Sequence, residues 1–247
     1  MLRLRQIALV ARDRDAVVDQ LTSELGVDVA FNDAGVDVFG LHNAVMPIGN
    51  QFLEVVAPIK ENTAAGRYLD RRKGDGGYMV ILQCGDDHAT RKARLGDELG
   101  VRFAMAHDGK EYHILQLHPA DTGGSFLEID QQLGGEDMAN GPWEPAGPNW
   151  QHARRTDQVG GITAAVIQSE DPQRLAARWA ELLELELNEG AVPTLALDNA
   201  TILFVHATDG RGEGLAGMYL APGTEPAPPR ELEICGMRIT VEGATPA

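Results

Sequence analysis

The chain repeats itself, and the repeat bounds its fold more tightly than any other feature. Gln6-Ile7-Ala8-Leu9-Val10-Ala11-Arg12-Asp13 has the pattern of a buried strand running into an acidic helix cap. Met79-Val80-Ile81-Leu82-Gln83-Cys84-Gly85-Asp86 has the same pattern 73 positions later. A helical stretch follows each, Asp15 to Leu25 closed by Gly26 and Ala89 to Leu99 closed by Gly100, with both glycines where a left-handed C-cap belongs. Each copy ends on a strand that keeps a glutamate between apolar neighbours, Phe52-Leu53-Glu54-Val55 and Phe126-Leu127-Glu128-Ile129, 74 positions apart. Between helix and glutamate the pattern predicts two strands per copy: Asp28 to Phe31 with Val36 to Pro47, then Val101 to His107 with Tyr112 to His118. Each copy is therefore βαβββ.

A third copy is degenerate. It runs from the strand Ile162 to Asp171 through an amphipathic helix, Pro172 to Leu185, to Ala200-Thr201-Ile202-Leu203-Phe204-Val205. Aligning Asp171 with Asp13 sets Ala164 against Gln6, and aligning Asn199 with Asn50 sets Leu203 against Glu54, so both polar positions are lost. The tail predicts strands Ala216 to Leu220 and Ile234 to Val241 around the proline-rich Pro222 to Pro229, a fourth module without its helix. The expected fold class is α+β. Modules 4–58 and 77–132 pair within residues 1–133 into an eight-stranded cup, 134–157 form a linker, and 158–247 form the degenerate pair.

Hydrophobic residues make up 43% and charged ones 23%, enough for a real core, while 21 basic against 37 acidic side chains leave a net charge of −16. That surface argues against nucleic acid or an anionic membrane as partner. Only the five apolar residues Ile7 to Ala11 precede Arg12, too few for a signal-peptide core or a membrane span. Cys84 and Cys235 are too few for a disulfide framework. The expectation is a cytoplasmic protein with a small-molecule substrate or ligand, a monomer or homodimer.

Paired βαβββ units with Gln or His on the first strand and Glu on the last resemble the vicinal oxygen chelate superfamily, which includes glyoxalase I, methylmalonyl-CoA epimerase, extradiol dioxygenases and bleomycin-resistance proteins. Gly40-Leu41-His42-Asn43-Ala44-Val45-Met46-Pro47 resembles the glyoxalase-like branch. His118-Pro119-Ala120-Asp121-Thr122-Gly123-Gly124 is similar to the turn that precedes the metal-binding glutamate in methylmalonyl-CoA epimerases. The resemblance implies a divalent metal held by one residue from each first and last strand: Gln6, Glu54, Met79 and Glu128. Gln6, Glu54 and Glu128 suit Zn, Mn, Ni, Co or Fe, whereas the Met79 thioether does not. Tyr78, next in sequence, is expected on the opposite strand face.

Phe52 and Glu54 share a strand face, as do Phe126 and Glu128, so either aromatics are exposed or carboxylates are inside. With the carboxylates inside, Glu54 and Glu128 are the candidate catalytic groups; without a metal they would repel and raise at least one pKa. His42, His113 and His118 lie on third strands that line the cup in such proteins, and His118 leads as proton shuttle or substitute ligand through its turn. Asn43 is a donor to a substrate carbonyl or a turn residue. Met79 lines the same substrate space. Arg71, in the basic run Arg67 to Lys73, is an anion clamp or a solvated helix end. Gly74 to Gly77 is expected as a flexible hinge, and Trp143 and Trp150 either cover the cup or seal the second half.

The function these features imply is a metal-dependent isomerase, epimerase or lyase acting on a small oxo-acid or thioester through a chelated enolate. The alternative is a metal-free binding protein of the bleomycin-resistance type. An extradiol-type dioxygenase ranks third, because neither first-strand ligand position holds a histidine.

Overall fold

The computed structural model describes residues 1–85, 87–134 and 139–243. Asp86, expected as the second helix cap, lies outside them, as do residues 135–138 of the linker and the last four of the chain.

Strand β1 (Leu2–Val10) leads to Asp13, whose carboxylate accepts the Ala16 N–H and starts α1 (Arg14–Leu25). Gly26, at φ +64°, ends that helix by donating its N–H to the Thr22 carbonyl at 3.0 Å. The hairpin β2 (Leu41–Ile48) and β3 (Gln51–Pro58) completes the first module, and a short α2 (Ala64–Arg71) leads into the second. That module comprises β4 (Gly76–Cys84), α3 (His88–Ala93), a π-helical turn Arg94–Glu98, β5 (Phe103–Asp108), β6 (Tyr112–Leu117), α4 (Pro119–Thr122) and β7 (Phe126–Gln132). Asp87 caps α3, one residue beyond the position expected from β1. The extra residue lies between strand and helix, which is why the first strands repeat at 73 positions and the rest at 74.

The sheet order is β2-β3-β1-β4-β7-β6-β5, with β1 antiparallel to β4 at the centre. Each first strand runs parallel to its module's last strand in the same register, Gln6 opposite Phe52 and Met79 opposite Phe126. The paired modules form the expected cup-shaped sheet, with seven strands instead of eight. Phe31 makes only an isolated bridge to Val45, and Ala34–Phe39 winds into a 3₁₀ helix after Asp33 caps it.

The remainder builds a second sheet of the same design from β8 (Val159–Ser169), α5 (Pro172–Leu183), β9 (Leu187–Asn188), β10 (Thr194–Ala196), β11 (Thr201–His206), β12 (Gly214–Pro222), β13 (Arg230–Ile234) and β14 (Met237–Val241). Its order is β13-β14-β12-β8-β11-β10-β9. Ala164 lies opposite Thr201, which places Leu203 where the first module has Glu54. The single strand expected over Ile234 to Val241 is a hairpin, turned by Cys235 at φ +53° and Gly236 at φ +59°.

The helix-bearing faces of the two sheets share one apolar layer, in which Leu4, Leu9, Val80 and Leu127 join Ile167, Trp179, Phe204 and Met218. Reciprocal side chains lock the halves. The Gln51 amide takes both the N–H and the carbonyl of Ile162, and the Asn199 amide takes those of Leu4, all at 2.7–3.0 Å. Gly49 (φ +63°) passes so close that a Cβ would lie 2.1 Å from the Gly160 carbonyl oxygen. Gly74 to Gly77 is not a free hinge, since Gly77 packs on Leu215 and the Arg72 guanidinium holds the carbonyls of Arg211, Gly212 and Glu213. Both cysteines are buried and neither is in a disulfide, and no described helix is long and apolar enough to cross a membrane.

Candidate functional site in the first cup

Strand alternation puts Phe52 and Glu54 of β3, and Phe126, Glu128 and Asp130 of β7, on the face away from the shared layer. Two bulges between β1 and β4 enrich that face. At the first, Arg5 is the extra residue of the bulge and Gln6 follows it inward. At the second, Tyr78 is unpaired, so Tyr78 and Met79 both face the cup, contrary to simple alternation. The Tyr78 ring meets Phe126 at 5.1 Å and Tyr68 of α2 at 5.0 Å, closing one side.

At the centre, Glu54 accepts the Gln6 amide at 2.9 Å on one carboxylate oxygen and the Asn43 amide at 2.6 Å on the other. Glu54 is 7% exposed. Burial raises its pKa to about 7 against the lowering effect of the Asn43 hydrogen bond, and the charge of Glu128 raises it further. Across the cup Glu128 accepts the Gln116 amide at 2.9 Å, and the same nitrogen lies 3.9 Å from the Met79 sulfur. Beside Glu128, Asp130 is fully buried and accepts the Tyr112 hydroxyl. Burial and the Glu128 charge push Asp130 well above the usual carboxylate range, and burial also raises Glu128. Both carboxyls are thus held toward the protonated form by burial. Asp130 Oδ1 is buried without a hydrogen-bond partner.

The linker fills much of the remaining space. The Trp143 indole donates to Gln6 Oε1 at 2.8 Å and its ring meets Tyr112 edge-on at 5.3 Å, while Trp150 meets Phe52 edge-on at 4.9 Å. Arg5 lies 5.0 Å from the Phe52 ring centre and donates to the carbonyl of Ala139 at 2.6 Å, tying the linker down. The two tryptophans thus cover the first cup.

The structure brings together Gln6, Asn43, Glu54, Met79 and Glu128 from the residues singled out in the sequence. It does not bring the histidines to them. His42 is opposite Ala57 on the far side of β2, one residue out of phase with Asn43. His113 shares the opposite face of β6 with Leu115 and pairs with Asp108. His118 caps α4 by accepting the Ala120 N–H, and the glycines of its turn dock on the second half. Arg71 stacks over Tyr68 at 5.1 Å, at the rim instead of inside. Gln116, Tyr112 and Asp130 were not anticipated. Asp130 was visible as the next residue in phase after Glu128; Gln116 depends on the cross-strand register of β6 and β7.

The cup does not fit the divalent metal that the resemblance implies. Both Glu54 oxygens are taken by amide N–H groups, Gln6 turns its nitrogen inward and gives its oxygen to Trp143, and the fourth position offers a thioether. Among the described residues, the one group of three converging His, Cys, Asp or Glu ligands lies elsewhere. The second cup is an open cavity of about 740 Å³ lined by Gln168, His206, Tyr219 and Arg238 among others, without counterparts of Gln6 or Glu54.

Paired βαβββ modules closed around a buried polar cup define a protein of the vicinal oxygen chelate superfamily. The sequence matches the glyoxalase-like domain family over residues 7–183, and the chain belongs to that family. Over 98% of its length it is similar in fold to a hypothetical protein from Staphylococcus aureus, at 14% identity, 99% coverage of that chain and a TM-score of 0.70. Over 53% of its length it aligns with methylmalonyl-CoA epimerase from Streptomyces coelicolor (24% identity, 98% of that chain, TM-score 0.47) and from Mycobacterium tuberculosis (24% identity, 88% of that chain, TM-score 0.45). No curated protein matches it.

Proposed function

We propose that the first cup is a proton-transfer site of the isomerase, epimerase or lyase type, acting on a small oxo-acid or thioester without a metal in the cup. The observation that carries this reading is Glu54, a buried carboxyl held by two amides with a pKa of about 7. A carboxyl so poised is close to half ionised at neutral pH and both takes and returns a proton readily. Ionised Glu54 removes the proton from the carbon beside the substrate carbonyl. On the other side of the cup Glu128, which burial also holds toward its protonated form, returns a proton to the same carbon or to the leaving group. Tyr112 and Gln116 keep that second carboxyl pair in place.

The test is exchange of the α-proton for deuterium, followed by NMR, across panels of oxo-acids and acyl thioesters. With EDTA present, exchange is expected in the wild type and at least about 100-fold slower in Glu54→Gln, the low end of what general acid–base catalysis contributes. Exchange abolished by EDTA and restored by Zn(II) or Co(II) would return the cup to metal chemistry. A second reading, a metal-free binding protein, is favoured by one observation, Trp143 seated on Gln6. It predicts ligands that shift protein resonances yet never exchange.

A further inference from the structure

Away from the cup, three side chains converge at the edge of the first sheet. His88 opens α3, Asp108 ends β5 and His113 is the second residue of β6, so helix and hairpin meet there. The Nδ1 atoms of His88 and His113 lie 4.0 and 3.9 Å from Asp108 Oδ1, and ligand atoms of all three lie within 4.8 Å of one another. The His88 imidazole is only 1% exposed. Its Nε2 faces the Ile129 carbonyl at 3.3 Å, which fixes the N–H there and leaves Nδ1 as a bare lone pair. That buried Nδ1 has no hydrogen-bond partner and faces the other two groups. Burial holds the ring's pKa below its usual value. A histidine whose second nitrogen is held by a carbonyl is the usual outer-shell arrangement around a bound ion.

We infer that His88, Asp108 and His113 form a binding site for a borderline divalent transition metal, with Zn(II) as the reference ion. Two imidazoles and one carboxylate are a zinc donor set, and solvent completes the coordination on the exposed side, where Asp108 is 56% exposed. Zinc bonds of about 2.0–2.2 Å in a tetrahedron put ligand atoms about 3.3–3.5 Å apart. The Asp108 pairs, at 3.9–4.0 Å, need a closure of roughly half an ångström, and the remaining pair, within 4.8 Å, one of up to about 1.4 Å, supplied by the more exposed Asp108 and His113. Lys92 occupies Asp108 Oδ2 at 2.7 Å and leaves Oδ1 to the ion. The bound ion would clasp the β5–β6 hairpin, which forms the open edge of the sheet, onto α3.

Tag-free protein is equilibrated with Zn(II), desalted and assayed for retained zinc; Co(II) substitution then reports the ligand field by visible absorption. The wild type is expected to retain one equivalent, and a Glu54→Gln/Glu128→Gln variant, altered only in the cup, is expected to retain it too. His113→Ala and Asp108→Ala should weaken binding by more than the roughly 10–100-fold that loss of an outer-shell partner costs. They should also lose the cobalt bands and the zinc-induced rise in Tm, with the metal-free Tm unchanged. His88, being buried, is left intact so that folding is not at stake. Zinc retained by both edge variants, zinc lost only from the cup variant, or no zinc in the wild type would each overturn the assignment.

Discussion

Replacing Glu54 by Gln and measuring stability against pH isolates the one group on which the proton-transfer reading rests. In the folded protein its pKa is about 7, against 4.5 for the unperturbed group. Between these values the folded state holds a proton that the unfolded state has released, so folding stability falls as pH rises. The cost is absent below about pH 4.5, grows through the window and is complete above about pH 7. A difference of 2.5 units at 1.36 kcal/mol per unit makes it about 3 kcal/mol. Glutamine carries no charge and escapes this cost, although it loses one of the two amide hydrogen bonds at every pH. Urea unfolding of both proteins from pH 4.5 to 8.5 separates the constant from the varying part. The wild type should lose about 3 kcal/mol relative to the variant across that range. Stability curves that run parallel over the whole range would refute the claim that burial raises the Glu54 pKa above the free carboxyl's.

Three further outcomes follow from the packing. Trp143→Ala removes a side chain that is 1% exposed and unpairs Gln6 Oε1; calorimetry should show a loss of about 3–5 kcal/mol. Asn199→Ala strips the N–H and carbonyl of Leu4 of their partner, costing about 1–3 kcal/mol in denaturant unfolding, and Gln51→Ala should match it through Ile162. Gly49→Ala drives a Cβ into the Gly160 carbonyl, so expression and Tm should both collapse, whereas Gly134→Ala, equally left-handed at φ +78° but with open space around it, should fold at a cost of about 1–2 kcal/mol.

The repeat made the fold legible because each module carries its own punctuation. An aspartate cap, a closing glycine and a glutamate strand recur at fixed distance, and the structure places Asp13, Gly26, Glu54 and Glu128 in those roles. Strand register also made Gln6, Met79 and the two glutamates visible as neighbours. What escaped depends on half-steps that local pattern does not record. One unpaired residue turned Tyr78 inward, and the two-residue turn at Cys235-Gly236 lacks the usual asparagine or aspartate signal. His42 and Asn43 are consecutive in a regular strand, so they could not both line the cup, and the hydrogen bond to Glu54 assigns the place to Asn43. The seat of Trp143 was beyond reach because the linker has no periodicity; its position follows from Arg5 and Gln6, more than a hundred residues away.

The seating of Trp143 has a quantitative meaning for whatever enters the cup. The linker is a tethered occupant, present at the high effective concentration of an intramolecular group, so an incoming molecule competes with part of the chain itself. If only a fraction of molecules have the tryptophan lifted, the apparent dissociation constant is the intrinsic one divided by that fraction. Each 1.4 kcal/mol by which the seated state is favoured weakens apparent binding about tenfold. A weakened seat, as in Trp143→Phe, which keeps a ring but gives up the hydrogen bond to Gln6, would then trade fold stability for ligand affinity.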